Sequence, residues 1–337
     1  MAYYRSQRKP LCLSPDKLEE WYNSLQEGTG SFNVHCRMAI DDVVTSIHRI
    51  CSSNLVPFDV DRVVKSGSLG KGTVVKDLSD VDLVAFVNPP HLQPIIDVGP
   101  QEYKKQLAEV LKDMARALGQ LQNVRSIDNK GFLITFKLIN IGPRSGSVSI
   151  DLMATADCHL GVADNVKKLF DAMLRQQRSD RLYYSPAVIE NQLAFVKGQP
   201  TAVKALIRLV KYWSYEFLPK GLQKSYKLEL ITIHCWESAG RPLRLDKAQG
   251  LRAVMLMLSN LSQLRVYWTL HYDAMRAEDV ITRFQMRRPI VLDPSEPTDN
   301  VCSLYTEGDN MRLVRSAAQS ALQSRLLQGV QVRQGWN

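Results

Sequence analysis

The sequence predicts an α+β chain of two lobes, a mixed β-sheet lobe followed by a helical one, and three observations carry that expectation. Runs of alternating apolar residues cluster between residues 81 and 154. After about residue 160 the apolar residues recur at helical spacing instead. The first fifty or so residues also read as helical, and those helices could pack on either lobe. The expected division is therefore residues 1–160, holding the opening helices and the sheet, and residues 161–337, holding the helical lobe. At 337 residues the chain can bury two sizeable cores.

Each element has a local reason. In "SPDKLEEWYNSLQ", Ser14 is a candidate N-cap, Pro15 suits the first turn, and acidic residues follow where a helix N-terminus favours them. "FNVHCRMAIDDVVTSIHRIC" carries apolar residues at helical spacing. Strands are expected at "VDLVAFV" (81–87), "FLITFKLI" (132–139) and "SVSIDLMA" (147–154), with a helix over "YKKQLAEVLKDMARALGQL" between the first two. "TAVKALIRLVKYWSYEF" and "KAQGLRAVMLMLSNLSQLRVYW" follow as helices. "LDPSEPTDN" (292–300) is rich in turn formers and reads as a brace for the helical lobe.

Composition narrows the class. With 45% hydrophobic and 23% charged residues the chain is an ordinary globular protein rather than a disordered one. Its 43 Lys and Arg exceed its 34 Asp and Glu, and the formal charge of +9 favours polyanionic partners such as nucleotides or nucleic acid. Cys12, Cys36, Cys51, Cys158, Cys235 and Cys302 form no CxxC pair or Cys/His group, so they are expected to be core or surface thiols rather than zinc ligands. His234 and Cys235 sit in an apolar helical run and read as core. The longest apolar run, "AVMLML" (253–258), is too short to span a bilayer, and no signal-peptide centre is seen. A soluble, cytoplasmic protein is expected.

The chemistry is concentrated in "KSGSLGKGTVVKDLSDVDLVAFV" (65–87). It is no P-loop, because Gly72 follows Lys71 and Ser66 stands where that motif needs glycine. Gly67 and Ser68 could still bring backbone N–H groups and a hydroxyl to phosphate oxygens, although by itself such a loop reads better as a solvated turn. Asp80 and Asp82 alter the balance. On a strand, residues two apart share a face at roughly 6.6 to 6.8 Å, and two carboxylates there repel unless a cation lies between them. Oxygen ligands suit Mg²⁺ or Mn²⁺. In "SGSVSIDLMA", Asp151 alternates with Val148, Ile150 and Leu152, so it lies on the polar face of a second strand. If the two strands are neighbours, three acids converge, as two-metal phosphoryl transfer requires, with metals about 3.5 to 4 Å apart. The alternative is that Asp151 is simply an exposed strand residue. Farther on, Lys204, Arg208 and Lys211 fall at i, i+4 and i+7, a basic stripe on one helix.

"GS" followed, after eleven intervening residues, by "DVD", with a later single Asp on a strand, resembles the DNA-polymerase-β-like nucleotidyltransferases. The longer text resembles the 2′-5′-oligoadenylate synthetase family: "KSGSLGKGTVVKDLSDVDLVAF", "LIRLVKYW", "YKLELITIHCWE", "KAQGLRAV", "VYWTLHYD" and "RRPIVLDPSEPT" occur in that family's order, over roughly residues 15 to 300, and the segment after 310 matches poorly. The resemblance implies a two-lobed nucleotidyltransferase fold and an enzyme joining ATP units, as donor and acceptor, through 2′-5′ bonds with release of pyrophosphate. It implies Asp80, Asp82 and Asp151 as ligands of two Mg²⁺ ions, with Asp151 also the base for the acceptor hydroxyl. Gly67 and Ser68 would hold donor phosphates, Arg208 and Lys211 would face the triphosphate, and Ser225 and Tyr226 would stand at the donor adenine. Ser225 replaces the glutamine often found there. Double-stranded RNA is implied as activator, with Lys65, Lys197 and Thr201 matching RNA-facing positions, while Leu193 and Ala202 stand where the vertebrate enzymes carry basic residues. The chain lacks the Cys-Phe-Lys tripeptide of the tetrameric members, so a monomer is expected. An RNA-independent synthetase, a synthase of cyclic dinucleotides and an inactive RNA-binding relative remain the alternatives.

Overall fold

The computed structural model describes residues 10–52, 56–75, 81–141 and 146–336. They divide into one unit of Gly30–Lys197 and a second formed by Met1–Thr29 with Gly198–Asn337. The expected boundary at residue 160 thus falls inside the first unit, and the beginning of the chain goes with the second. The two opening helices are one, α1 (Leu18–Ser52), preceded by a single turn at Pro15–Lys17 with Ser14 before it. Continuation through Gly28 and Gly30 costs about 1 kcal/mol per glycine relative to alanine, which is why the sequence pattern reads as two helices.

The first unit is built on β1 (Val60–Lys65), the short helix α2 (Gly67–Lys71), β2 (Val81–Val87), α3 (Ile95–Leu118), β3 (Val124–Asn129), β4 (Ile134–Ile141) and β5 (Gly146–Thr155). It ends in α4 (Ala163–Leu174), α5 (Arg178–Arg181) and α6 (Ile189–Lys197). The sheet order is β1-β2-β5-β4-β3, parallel between β2 and β5 and antiparallel elsewhere. The three expected strands are present, each within two residues of its expected ends. β1 and β3 were not anticipated. "VDRVVK" puts Asp61, Arg62 and Lys65 into a six-residue run, and β3 is an edge strand with only Val124 buried, so neither shows clean alternation.

Strand alternation gives the sheet two unlike faces. Leu83 and Ala85 of β2, Ile150, Leu152 and Ala154 of β5, and Ile134, Phe136 and Leu138 of β4 are all buried on one face. There α3 packs against β3 and β5 through Tyr103, Leu107, Val110, Leu111, Met114, Ala117 and Leu118, a continuous stripe at helical spacing. A break at Gly99, followed by Pro100, separates the first turn of α3 from this stripe. The other face carries Asp82, Val84 and Phe86 of β2 and Asp151, Met153 and Thr155 of β5 in register. One end of it is covered: Ile189 of α6 packs on Val84 and Phe86, with Val64 and Met153 against them.

The second unit is helical around α7 (Thr201–Phe217), α8 (Ser225–Ser238) and α9 (Lys247–Ser259), which pack on one another. α10 (Ala274–Arg283) and α11 (Asn310–Leu322) complete it, α11 lying against α9. The helix expected to run on to Trp268 instead stops at Ser259. A short turn at Leu261–Gln263 then leads into β6 (Arg265–Val266), which pairs in parallel with β7 (Ile290–Val291). The 292–300 turn is interior, with Asp293 and Ser295 0% exposed. Most of its polar groups are met locally, although the buried Ser295 hydroxyl has no partner among the described residues: the Ser295 N–H donates to Asp293 Oδ1 (2.7 Å), the Tyr272 hydroxyl to the Asp293 carbonyl (2.9 Å), and the Asn300 amide to the Pro289 carbonyl (3.0 Å). It braces this unit as its composition suggested. Cys235 is buried as expected, and His234 is half-buried, edge-on to Trp268.

Candidate active site

The site of the first unit is set by backbone register. Because β2 and β5 run parallel with Asp82 opposite Asp151, the two carboxylates project from the same face of adjacent strands, which lie about 4.8 Å apart. Thr135 of β4 is opposite Asp151 on its other side. Both aspartates are half-buried, at the edge of the area that α6 covers. Like charges so placed favour a cation between them, and an all-oxygen donor set fits a hard divalent ion. Asp80, expected as the third ligand, lies outside the described residues. Among the described residues no third His, Cys, Asp or Glu joins the pair.

The segment expected to be a glycine-rich loop is the helix α2, with Ser66 at its N-cap and Gly72 in the left-handed region behind it. Its first residue is tied to β2. The Ser66 N–H donates to the Asp82 carbonyl at 2.8 Å, and Gly67, at φ +59°, lies so close to Asp82 that a Cβ would overlap the Oδ2 oxygen. Only glycine satisfies both the positive φ and the close approach. Gly70, one turn on, is equally crowded: a Cβ there would strike the Lys65 carbonyl and come within 2.9 Å of Leu193 Cδ1. Leu193 of α6 therefore rests on α2, and α2 rests on Asp82. Ser68 is buried in this short helix, whose first N–H groups have no acceptor within the helix itself.

α6 is held in turn by Arg62 of β1. Its guanidinium grips Glu190 bidentately (3.1 and 2.8 Å), meets Asp157 at 3.0 Å and Asp61 at 2.7 Å, and lies 3.8 Å over the Phe86 ring. Neither this clamp nor the Leu193 contact was foreseen. Recognising β1 as a strand would have set Arg62 beside Phe86, but not beside its Glu190 partner 128 positions away.

Of the RNA-facing candidates, Lys65 is in register with Leu83, so it stands on the opposite face of the sheet from the aspartates, bonded to Asp41 of α1. Lys197 is exposed at the end of α6, and Thr201 is exposed at the start of α7 in the second unit.

The second unit treats its candidate residues differently. The expected basic stripe is not uniformly solvated. Lys211 is 5% exposed and faces Glu229 of α8 at 3.6 Å, with Glu229 at 1%. Arg208 donates to the Tyr22 hydroxyl at 3.0 Å, and Lys204 is half-buried. Ser225 opens α8, with Tyr226 beside it. Burial first, and then the Asp293 carboxylate, pushes the Tyr226 phenol well above its ordinary range.

Comparison with known proteins adds to this geometry. A family model described as 2′-5′-oligoadenylate synthetase 1, domain 2, C-terminus matches residues 164–337, and a nucleotidyltransferase-domain model matches residues 45–131. The first match runs past residue 310, correcting the expectation that family likeness fades there. Asp151 lies between the two. The chain is 32% identical to 2′-5′-oligoadenylate synthase 1A of Mus musculus over 82% of this chain and 80% of that protein. It is 33% identical to inactive 2′-5′-oligoadenylate synthase 1B of Rattus norvegicus over 82% and 77%. Among solved structures, Cid1, described by its RNA terminal uridylyl transferase activity, is similar with a TM-score of 0.56 at 13% identity, over 94% of this chain and 96% of that one. CdnC of E. coli MS115-1, in its HORMA-deltaN complex, is similar with a TM-score of 0.53 at 20% identity, over 83% and 82%. At such identities the likeness is one of fold, and it agrees with the nucleotidyltransferase architecture expected from the sequence.

Proposed function

The chain belongs to the 2′-5′-oligoadenylate synthetase family, and on that premise we propose that it joins ATP units into 2′-5′-linked oligoadenylates at Asp82 and Asp151, releasing pyrophosphate. The observation that carries this reading is the register pairing of Asp82 with Asp151, with Gly67 fitted against Asp82. Both of these acids are present in this chain.

The roles in this reading are those that the family resemblance implies. Backbone N–H groups at Gly67 and Ser68, with the Ser68 hydroxyl, bind the donor's phosphates at the start of α2. Two magnesium ions bound by Asp80, Asp82 and Asp151 would supply positive charge to balance the carboxylates and the charge developing on phosphate. Asp151 orients the acceptor's 2′-hydroxyl and takes its proton. The freed oxygen bonds to the α-phosphorus of the donor as the bond to pyrophosphate breaks. By resemblance alone, Arg208 and Lys211 are assigned to the triphosphate and Ser225 and Tyr226 to the donor adenine, although Lys211 is buried against Glu229. The protein acts as a monomer.

Duplex RNA is the activator in this reading. Lys65, on the sheet face turned away from the aspartates, offers a contact that would not compete with substrate; the exposed Lys197 and Thr201 add an ammonium and a hydroxyl. Such contacts read the RNA backbone and not its sequence.

The test is purified protein with ATP and Mg²⁺, with and without long duplex RNA at low salt, beside Asp82→Ala. Oligomers that resist a 3′-5′-specific nuclease and vanish in Asp82→Ala are expected, at a rate raised by RNA. No oligomer in either condition overturns the synthetase reading, and an unchanged rate with RNA overturns the activation alone.

A further inference from the structure

Resting on the synthetase reading, we propose that the uncovered end of the aspartate-bearing sheet face, across β5, β4 and β3, is the track for the growing oligoadenylate, with Lys137 and Arg125 as its phosphate ligands.

In-line displacement fixes the side of approach. The attacking oxygen and the leaving pyrophosphate stand on opposite sides of the α-phosphorus. α2 packs against β1, β2 and α6, so the donor phosphates and departing pyrophosphate belong to the β1–β2 side of the aspartate pair. The acceptor must then lie on the β5 side. The same face is closed in the other direction, where Ile189 of α6 covers Val84 and Phe86. What remains is the stretch of β5, β4 and β3 leading away from Asp151 toward the start of β5.

Register identifies the residues on that stretch. Asp151 pairs with Thr135; one pleat away Ser149 pairs with Lys137, and Lys137 pairs with Arg125 of β3. Ser149, Lys137 and Arg125 therefore form a row on the aspartate-bearing face, and all three are exposed. One pleat and one strand separate Lys137 from Asp151, a Cα distance on the order of 8 Å, within reach of the first linkages behind the reacting hydroxyl. Arg125 donates to its neighbour's carbonyl, Val124 (2.6 Å). Among the described residues neither Arg125 nor Lys137 has an acidic partner within ion-pair distance. The nearby Asp128 is taken up by Lys130. Two uncompensated cations on an otherwise polar strand surface serve no core.

The ligand follows from this chemistry. An acceptor longer than ATP brings one phosphodiester for each linkage, and arginine and lysine are the side chains that bind such groups. A flat strand face that tracks backbone charge does not select sequence, as suits a product made of one repeated unit.

The test uses a fluorescent 2′-5′-linked tetraadenylate and fluorescence anisotropy across a salt series, with wild type, Lys137→Glu, the double variant Arg125→Ala/Lys137→Ala, and Lys112→Glu on α3 as a charge-matched control. Binding weakened about tenfold in Lys137→Glu is expected, with the slope of log affinity against log salt reduced by roughly 0.7 for each phosphate no longer neutralised, and no change in Lys112→Glu. In the ATP reaction the same variants shift products toward the dimer. A wild type that does not bind the tetramer, or Lys137 variants with wild-type affinity and salt slope, overturns the track. If wild type makes no oligomer from ATP, the synthetase reading fails instead, whatever the binding result.

Discussion

The sheet unit and the helical unit handle polar residues in opposite ways. Around the aspartates, charge is placed at the surface by strand register and kept there by small residues; Gly67 leaves Asp82 room, and both carboxylates stay half-exposed. In the helical unit, Lys211, Lys227, Glu229 and Asp293 are sunk in the packed interior. A group placed by register can be changed with little harm to the fold, because the backbone ladder remains. A buried ion cannot, since removing one partner strands the other in a medium that solvates it poorly. The first unit thus separates chemistry from stability, and the second binds them together.

A crossed pair of substitutions gives the largest expected effects. Glu229→Ala leaves Lys211 buried without its partner and should cost about 3–5 kcal/mol of stability, read as a lower denaturation midpoint at unchanged slope. Gly67→Ala pushes a methyl group onto the Asp82 carboxylate at a positive φ. It should lower synthesis by about 10²-fold or more, the scale on which loss of one aligned stabilising group is felt, while costing about 1–3 kcal/mol in backbone strain. If Gly67→Ala loses stability as heavily as Glu229→Ala, the contrast between the units breaks.

The same contrast explains what could be read from the sequence. That Asp82 and Asp151 each stand on the polar face of a strand was legible, because strand alternation has a fixed period of two and both strands keep an apolar face behind their acids; that the two strands are neighbours was only a condition of the reading, met by the register. The tightness of α2 was not. "GSLGKG" looks like a loop, and nothing local reveals that Gly67 faces a carboxylate or that Gly70 carries the weight of Leu193, 123 positions away. β1 was missed for a related reason, since Arg62 and Lys65 are charges whose partners, Glu190 and Asp41, lie on distant helices. In the helical unit the basic stripe on α7 was visible, but a helical period says only which residues share a face. Whether that face meets water or Glu229 depends on where α8 packs. The same holds for "LDPSEPTDN", whose turn formers were evident and whose burial was not.

Lys227 sharpens the comparison through pH. It is 2% exposed, with its ammonium 4.0 Å over the Tyr305 ring and Cys302 and Lys224 as the charged or titratable neighbours. Burial lowers its pKa to about 8, against 10.5 in an unfolded chain. Between those values the unfolded state holds more protons than the folded one, so stability should rise with pH across that window. Below about pH 8 both states are protonated and the full cost of burying the charge is present. Lys227→Met should therefore stabilise the protein at pH 7 by about 1–3 kcal/mol, the scale of such a shift at 1.36 kcal/mol per unit, and should remove the rise between pH 8 and 10.5. A wild-type midpoint that is flat or falls through that window, once compared with Lys227→Met, would falsify the assignment.

The smallest expected effect lies in the sheet unit, where chemistry and packing come closest to meeting. Leu193 touches no candidate substrate atom, yet its Cδ1 bears on α2 at Gly70, and the other end of α2 is fitted to Asp82. Loosening that packing should let α2 shift without unfolding the unit, because the Arg62 clamp on Glu190 still holds α6 in place. Leu193→Ala is expected to raise the KM for ATP about tenfold, equivalent to roughly 1.4 kcal/mol of lost binding, with kcat changed far less, and Leu193→Met should restore most of the affinity. A fall in kcat at constant KM would mean that α2 governs the reacting geometry and not donor binding. Equal losses in both, with a lower melting temperature, would make Leu193 an ordinary packing residue and put part of the sheet unit under the rule that governs the helical one.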